Sequence, residues 1–163
     1  MKTLWKRSAK ADKFRKPGGI FVNGNTELLN FIYQNSQMGV DTLEKLLELT
    51  EDAAFKRQLE AQRGEYGAIH AEARRLLNQN GCDEKGLGKL ERLRTYLTLQ
   101  FETLRDKSPS HIAEMLITGG TMGIVSAARD LNRYADAEPE IRALMSRLLE
   151  FEERSGKELR VFL

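Results

Sequence analysis

The glycine-rich stretch at residues 117–131, ITGGTMGIVSAARDL, is the part of the sequence whose composition most resembles a ligand-binding loop. Gly-rich loops bind phosphate through backbone N–H groups in patterns such as GxxxxGK[ST], or GxGxxG between a strand and a helix. Here the order is G-G-T-M-G, no lysine follows, and the preceding residues have a helical rather than a strand pattern. We therefore do not expect a phosphate-binding loop at this position.

Small residues in this stretch recur with helical spacing. A spacing of four places three of them on one face of a helix: Gly119, Gly123 and Ala127. The preceding long helix carries a similar row: Ala61, Gly64 and Ala68. A glycine inside a helix costs about 1 kcal/mol relative to alanine. Three explanations stay open: close packing of the two rows, a cavity left by the missing side chains, and a helix break at Gly119-Gly120.

Groups for covalent or acid–base catalysis are sparse, with two histidines and one cysteine in the chain. Cys82 lies in the sequence NGCDE with no predicted histidine near it, whereas a nucleophile needs an adjacent base. His111, with Glu114 three residues later, is expected to be an exposed residue of a first helical turn. The sequence predicts no catalytic residue and no cofactor, and it favours a protein that is not an enzyme.

A basic arm occupies the N-terminus. Its basic side chains are Lys2, Lys6, Arg7, Lys10, Lys13, Arg15 and Lys16. Seven bases and the single acid Asp12 give residues 1–16 a charge of +6, which leaves −4 for the remainder because the whole chain carries +2. Such an arm can bind an anionic partner, either nucleic acid or a membrane surface, through phosphate contacts. The alternative is a terminus that only aids solubility.

The rest of the sequence has the periodicity of helices. Residues expected on an inward face recur at three-four spacing in segments 26–49, 52–79, 87–106, 109–134 and 139–160. Asn25 or Thr26 can cap the first helix, and Ser108-Pro109 is a strong helix start. The inward stripes also include polar residues: Asn35, Gln62, Tyr66, Glu152 and Ser155.

These segments define the fold class and the domains. Four long helices with short connections, and a shorter helix between the second and third, predict an all-α antiparallel four-helix bundle with an extra short crossover helix. The bundle would cover residues 25–163. Residues 1–24 would form the basic N-terminal arm and a turn-rich linker, KPGGIFVNGN.

Two phrases carry a family resemblance: LEAQRGEYGAIH in the second long helix and EPEIRALMSRLLEFEERSGKELRVFL at the end. From about residue 26 onward the chain resembles uncharacterised bacterial four-helix-bundle proteins of ferritin-like fold. The resemblance implies a ferritin-like arrangement of the helices. In such folds a di-iron site takes a Glu from each of two helices and a Glu-x-x-His from each of the other two.

This chain departs from that pattern, because it contains no Glu-x-x-His. In the family register the ligand positions fall at Met38, Gly120 and Gly156. Glu65 and Glu153 remain as possible inward carboxylates, and two acids alone make a poor metal site. The resemblance therefore implies that the metal ligands have been lost, and we predict no metal.

The leading functional prediction is a non-catalytic bundle that acts through self-association or partner binding. A homodimer is expected from apolar residues assigned to outer faces: Phe31, Leu43, Leu47 and Leu99. One alternative is a metal- or small-molecule-binding protein that uses the space beside Met38, Gly64, Gly120 and Gly156. The other is a nucleic-acid or anionic-membrane binder that acts through the arm.

The sequence also carries an expectation about location. No apolar run approaches the roughly 20 residues needed to span a bilayer, so no transmembrane segment is expected. The N-terminus shows no apolar core of a secretion signal, and the single cysteine excludes an intrachain disulfide. We therefore predict a cytoplasmic protein.

Overall fold

The computed structural model describes residues 24–82 and 90–163, and these ranges are almost entirely helical. They contain α1 (Gly24–Leu49), α2 (Ala53–Gln79), α3 (Glu91–Glu102), α4 (Pro109–Arg133), α5 (Pro139–Leu159) and a closing 3-10 turn (Arg160–Phe162). The predicted all-α class is confirmed, with no strand in the described residues. The basic arm at residues 1–16 lies outside them, as does the linker up to residue 23.

Side-chain caps fix where two of the long helices begin. The Asp52 carboxylate accepts a hydrogen bond from the backbone N–H of Phe55 at 2.8 Å, just ahead of α2. The Ser108 hydroxyl accepts one from the backbone N–H of His111 at 3.3 Å, and Pro109 opens α4. These side chains satisfy N–H groups that have no partner within their own helix. The predicted starts of α2 and α4 are confirmed.

The predicted cap of the first helix is wrong. α1 already begins at Gly24, so Asn25 is inside the helix and cannot cap it. Its side-chain oxygen instead accepts a hydrogen bond from the backbone N–H of Glu138 at 2.8 Å. Glu138 immediately precedes α5. Asn25 therefore joins the start of α1 to the start of α5.

The four long helices pack as two pairs with short connections. α1 pairs with α2, and α4 pairs with α5; α5 also packs against α1 and α2, while α3 packs on α4. Two apolar clusters fill the interior, one containing Leu28 and Leu148 and the other containing Leu46 and Phe55. Tyr66 packs against both clusters, so it lies where they meet.

The two small-residue rows do not face each other, which corrects the close-packing prediction. The row of α2 is exposed, and it consists of Ala61, Gly64 and Ala68. The buried face of α2 is formed by larger residues such as Phe55, Leu59 and Ile69, which lie on the opposite side of the helix. The row of α4 is buried, and it consists of Gly119, Gly123 and Ala127. α4 is continuous through Gly119-Gly120, so the alternative of a helix break at these residues is also wrong.

The apolar residues assigned to outer faces are mostly inside. Phe31 and Leu43 are buried, with 4% and 1% of their surface exposed, and Leu47 is partly buried. They lie inside because α1 packs against α2, α4 and α5, and these contacts cover more than one side of it. Leu99 is exposed, as predicted. Three of the four residues therefore give no support to a dimer.

None of the helices in residues 24–82 and 90–163 combines the length and the apolar character that crossing a membrane requires.

Candidate ligand cavity

A cavity of about 400 Å³ lies among the helices, and all five α-helices contribute to its wall. Small-molecule sites in proteins usually have volumes of roughly 300–1,000 Å³. Much of the wall is apolar, and its large apolar side chains are Met38, Leu43, Leu93, Leu97, Leu116, Ile117, Ile124 and Leu159. The cavity is therefore large enough for a small organic molecule and suits one with an apolar body.

Glycines create part of this space. A Cβ atom added at Gly120 or Gly156 would meet no other atom within 4 Å, and both residues line the cavity. Met38 lines it as well, whereas Gly64 does not. The three positions that the family resemblance assigns to lost metal ligands are thus brought together on one cavity wall. Within the glycine-rich stretch, Gly120 is therefore a position that leaves open space in the cavity.

The neighbouring glycines of α4 have side chains of other helices beside them. A Cβ at Gly119 would be in ordinary contact with Leu93 and Leu97 of α3, at 3.5 and 3.6 Å. A Cβ at Gly123 would lie 2.9 Å from Oε2 of Glu152 and 3.3 Å from Nδ2 of Asn35. That spacing is too short for a side chain, so the Glu152 carboxylate and the Asn35 amide fill the space that Gly123 leaves.

A polar cluster therefore occupies part of the cavity wall. Glu152 has only 3% of its surface exposed, and the Tyr66 hydroxyl donates a hydrogen bond to its Oε1 at 3.0 Å. The Tyr66 ring packs edge-on against Phe151, with ring centroids 4.7 Å apart. The Asn35 amide lies beside the carboxylate. Three helices, α1, α2 and α5, hold this cluster.

Burial changes the acidity of two groups in the cluster. It raises the pKa of the Glu152 carboxyl to about 7, against the smaller opposing effects of the Tyr66 hydroxyl and the Asn35 amide. The pKa of the Tyr66 hydroxyl is also raised well above its ordinary value, first by burial and then by the neighbouring Glu152 charge. Near neutral pH the Glu152 carboxyl is therefore divided between its charged and neutral forms.

Four buried polar atoms of the wall have no hydrogen-bond partner among the described residues. They are Nδ2 of Asn35, Nε2 of Gln62, Oε2 of Glu152 and Oγ of Ser155. All four residues line the cavity. An unpaired buried donor or acceptor typically costs about 1–3 kcal/mol, and native proteins satisfy nearly all such groups. These atoms have almost no accessible surface, so they lie behind the surface of the cavity wall and do not face its open space.

Charged residues mark the solvent side of the cavity. Glu153, Lys157 and Arg160 line it and are exposed. Within the described ranges, neither the Lys157 ammonium nor the Arg160 guanidinium forms an ion pair. The opening thus has two cationic groups and one anionic group, while the polar cluster lies in the interior.

Neither carboxylate singled out from the sequence belongs to the buried polar cluster. Glu65 is not an inward residue, because it forms a surface ion pair with Arg147 at 3.0 Å. Glu153 is at the exposed opening rather than inside. The acid buried beside the cavity is Glu152, which the helical stripe places inward but which the sequence analysis does not identify as a site residue. The sequence signal for Asn35, Gln62 and Ser155 is that each is a polar residue at an inward position of a helical stripe.

The histidines take no part in the cavity wall. Nδ1 of His70 lies 3.1 Å from Oγ of Ser36 and 3.1 Å from the backbone oxygen of Tyr33, and its ring packs on the Tyr33 ring. His111 lies in the first turn of α4. No group of three or more His, Cys, Asp and Glu side chains suited to a metal ion occurs in residues 24–82 and 90–163. These residues do not fit a di-iron centre.

Comparison of the chain with protein-family models, with curated proteins and with solved structures gave no match.

Proposed function

We propose that this protein binds a small organic molecule in the cavity among its five helices. One observation carries the proposal: a largely apolar cavity of about 400 Å³ lies among the five helices, and Gly120 and Gly156 leave open space in it. This is the small-molecule alternative of the sequence analysis, and no step of catalysis is needed for it.

The composition of the wall favours a ligand over a simple packing gap. Empty cavities in proteins are typically lined by apolar groups alone, and polar cavities hold water or ligand. A wall with many apolar side chains and a few grouped polar ones is typical of a ligand site, because the apolar part supplies binding energy and the polar part fixes orientation. Glu153, Lys157 and Arg160 at the opening supply the polar part here.

Glycine substitutions provide a direct test with a matched control. Gly120→Leu should place a side chain in the cavity, because Gly120 lines it and a Cβ there meets no neighbouring atom within 4 Å. Gly64→Leu adds the same side chain to an exposed helical position that is also free of neighbours and lies away from the cavity. The probe is the uncharged fluorophore N-phenyl-1-naphthylamine, titrated against folded protein.

We expect saturable binding of one probe per chain to the original sequence and to Gly64→Leu. We expect a loss of at least about tenfold in affinity, or about 1.4 kcal/mol, for Gly120→Leu. Equal binding by all three proteins, or binding by none of them, would contradict the proposal. Gly156→Leu offers a second filled cavity if Gly120→Leu fails to fold.

Self-association is a second proposal. Of the four apolar residues that the sequence assigns to outer faces, only Leu99 is exposed and supports it. Leu99 of α3 and Val125 of α4 have 53% and 51% of their surface exposed, and α3 and α4 pack against each other. Exposed large apolar side chains on neighbouring elements favour an interface. Light scattering after size-exclusion chromatography should give the mass of a dimer, and Leu99→Glu should shift it toward the monomer. A monomer before substitution would contradict the proposal.

The finer features of the fold and location also remain proposals. A ferritin-like four-helix bundle is supported by the two helix pairs and by the placement of α3 between them in the chain. A cytoplasmic location is supported by the sequence observations alone. Binding of an anionic partner by residues 1–16 is tested by removing them: it fails if affinity for DNA and for anionic vesicles is unchanged.

A further inference from the structure

We infer that the cavity binds an amphipathic anion, whose apolar body lies among the helices and whose negatively charged head lies at the opening. This inference rests on the proposed function and specifies the class of its ligand. It is carried by the apolar side chains that are accessible in the cavity and by Lys157 and Arg160 at its exposed edge. The buried polar cluster around Glu152 takes no part in it.

The part of the wall that a ligand can touch is largely apolar. Five large apolar side chains line the cavity and are partly exposed: Met38, Leu97, Leu116, Ile117 and Ile124. They come from α1, α3 and α4, and Gly120 and Gly156 leave open space in the same cavity. Covering such surface favours binding in proportion to the area that is removed from water. The interior of the cavity is therefore suited to an apolar body.

The opening of the cavity is the part that carries charge. Four residues of the wall are exposed: Thr121, Glu153, Lys157 and Arg160. The Thr121 hydroxyl donates its proton to the backbone oxygen of Ile117 at 2.8 Å, so it has none to offer a ligand. The three charged residues follow one another at spacings of four and three, which places them on one face at the end of α5. Among the described residues of the opening, Lys157 and Arg160 are thus the donors for a ligand head.

The balance of charge at the opening favours an anion. Lys157 and Arg160 contribute two positive charges and Glu153 one negative charge, and none of the three forms an ion pair with another described residue. The C-terminus of α5 adds roughly half a negative charge, which leaves the net charge positive. A carboxylate can accept charge-assisted hydrogen bonds from both cations. Both would repel an ammonium head.

The head lies at the opening because no positive charge is available deeper in the cavity. Apart from Lys157 and Arg160, no described residue of the wall carries one. The unpartnered polar atoms of the buried cluster have almost no accessible surface, so a ligand does not reach them. Transfer of a charged group from water into apolar surroundings without a partner is strongly unfavourable. The ligand therefore extends from an apolar interior to a cationic edge.

The test compares octanoate, octanamide and octylammonium by calorimetric titration at pH 7.5 and low ionic strength. The three probes share an alkyl chain and differ in the charge of the head, and at this pH the lysine and arginine side chains are charged. We expect octanoate to bind at least about fivefold more tightly than either of the other probes. Added salt should weaken octanoate and leave octanamide unchanged, because salt screens exposed charges.

The length of the chain tests whether the apolar body is buried. Each methylene that leaves water strengthens binding by about fourfold. Octanoate should therefore bind at least about tenfold more tightly than hexanoate, which has two methylenes fewer. Gly120→Leu should abolish binding of octanoate, and Gly64→Leu should leave it unchanged, which assigns the chain to the cavity.

Substitutions at the opening test the position of the head. Arg160→Gln should weaken octanoate by about twofold to fivefold, and its combination with Lys157→Gln should weaken octanoate by at least about fivefold. Both should change octanamide by less than about twofold. Glu153→Gln removes the negative charge, so it should act in the opposite direction and strengthen octanoate by about twofold. If the double variant fails to fold, the single variants give the same comparison.

Arg74→Gln is the matched control for Arg160→Gln, because it is the same substitution far from the opening. Arg74 is exposed on α2 and does not line the cavity. The adjacent Arg75 pairs with Glu140 at 2.8 Å, and Glu140 lies near the start of α5, whereas Lys157 lies near its end. At about 1.5 Å per residue the two ends are roughly 25 Å apart, which is well beyond the range of a screened charge. Arg74→Gln should leave all probes unaffected.

The outcomes separate this inference from the proposed function. If octanamide or octylammonium binds as tightly as octanoate, and Gly120→Leu still abolishes binding, the cavity binds ligands but the inference about the anionic head is wrong. The inference is also wrong if the fluorophore binds and octanoate does not, or if Arg160→Gln and Lys157→Gln weaken octanoate no more than Arg74→Gln. If none of these probes nor the fluorophore binds, the proposed function fails.

Discussion

Gly39 lies against the aromatic ring of Tyr66 on the cavity wall. A Cβ at Gly39 would be 2.6 Å from two carbon atoms of that ring, far below van der Waals contact. The ring cannot withdraw freely, because it packs against Phe151 and its hydroxyl binds Glu152. Gly39 is thus required for the placement of Tyr66 in the cavity wall, although it lies outside the glycine-rich stretch of α4.

We therefore expect Gly39→Ala to destabilise the protein. Forcing extra atoms into a packed site costs about 1–3 kcal/mol, and the better helix propensity of alanine returns about 1 kcal/mol at most. The matched control is Gly64→Ala, where an added Cβ meets no atom within 4 Å and only the propensity gain applies. The measurement is the free energy of unfolding in denaturant. Equal stability of the two variants would show that the ring yields without cost.

The buried Glu152 carboxyl makes stability depend on pH with a defined sign. Its pKa is raised to about 7 in the folded protein from an ordinary value of 4.5. Between these values the folded state binds more protons than the unfolded state, so the free energy of unfolding falls as pH rises. The loss begins near pH 4.5 and is complete above pH 7. In total it amounts to about 3 kcal/mol.

Glu152→Gln should remove this dependence, because the amide has nearly the same shape and no charge. From pH 5 to pH 8 we expect the stability of Glu152→Gln relative to the original sequence to rise by about 2–3 kcal/mol. Glu150→Gln, at an exposed position of the same helix, controls for removal of an acidic side chain. The prediction is wrong if the relative stability of Glu152→Gln is the same at both pH values.

At the level of single helices, local capping decides where α2 begins. The Asp52 carboxylate binds the N–H of Phe55 at 2.8 Å, and Phe55 itself is fully buried. We expect Asp52→Ala to lower the free energy of unfolding by about 0.5–2 kcal/mol, the usual cost of losing such a cap. Glu51→Ala, one residue earlier and also exposed, should have an effect below about 0.5 kcal/mol. Thermal or denaturant unfolding of both variants checks this.

Caps made by nearby residues are also what the sequence predicts best. Asp52 and Ser108 act on N–H groups three residues away, so their patterns identify the starts of α2 and α4. Asn25 has the same capping chemistry but acts on Glu138, on another helix. That pairing depends on tertiary packing, and no local rule indicates it. The cap of α1 is therefore predicted wrongly, although its start at Gly24 lies only two residues from the expected one.

The candidate site was predictable in outline for a similar reason. Helical spacing places Glu152 four residues after Leu148 and three before Ser155, on the buried stripe of α5. The family register instead drew attention to Glu153, which is about 100° further around the helix and exposed. Periodicity alone thus identifies the inward acid. It does not reveal the cavity, because the space beside Gly120 depends on how far α3 and α5 lie from α4.

At the scale of the whole molecule, the helices around the cavity differ in how many of their residues are buried. α1, α2, α4 and α5 each bury seven or more residues, whereas within the bounds of α3 only Leu93 is buried. α3 packs chiefly on α4, through Gly119, and it supplies Leu93 and Leu97 to the cavity wall. Within the described residues, the same helix therefore buries few side chains and forms one side of the site.

Hydrogen exchange should show this difference directly, because segments with few buried contacts open at low free energy. We expect amides of α3 to exchange at least about tenfold faster than those in the middle of α5, a difference of about 1.4 kcal/mol in opening free energy. Saturation with N-phenyl-1-naphthylamine should slow exchange in α3, since a ligand in the cavity contacts a wall that Leu93 and Leu97 complete. In Gly120→Leu the fluorophore should have no such effect. Slow exchange in α3 without ligand would mean that this helix is held by contacts beyond those with α4, and that the cavity is closed by a rigid wall.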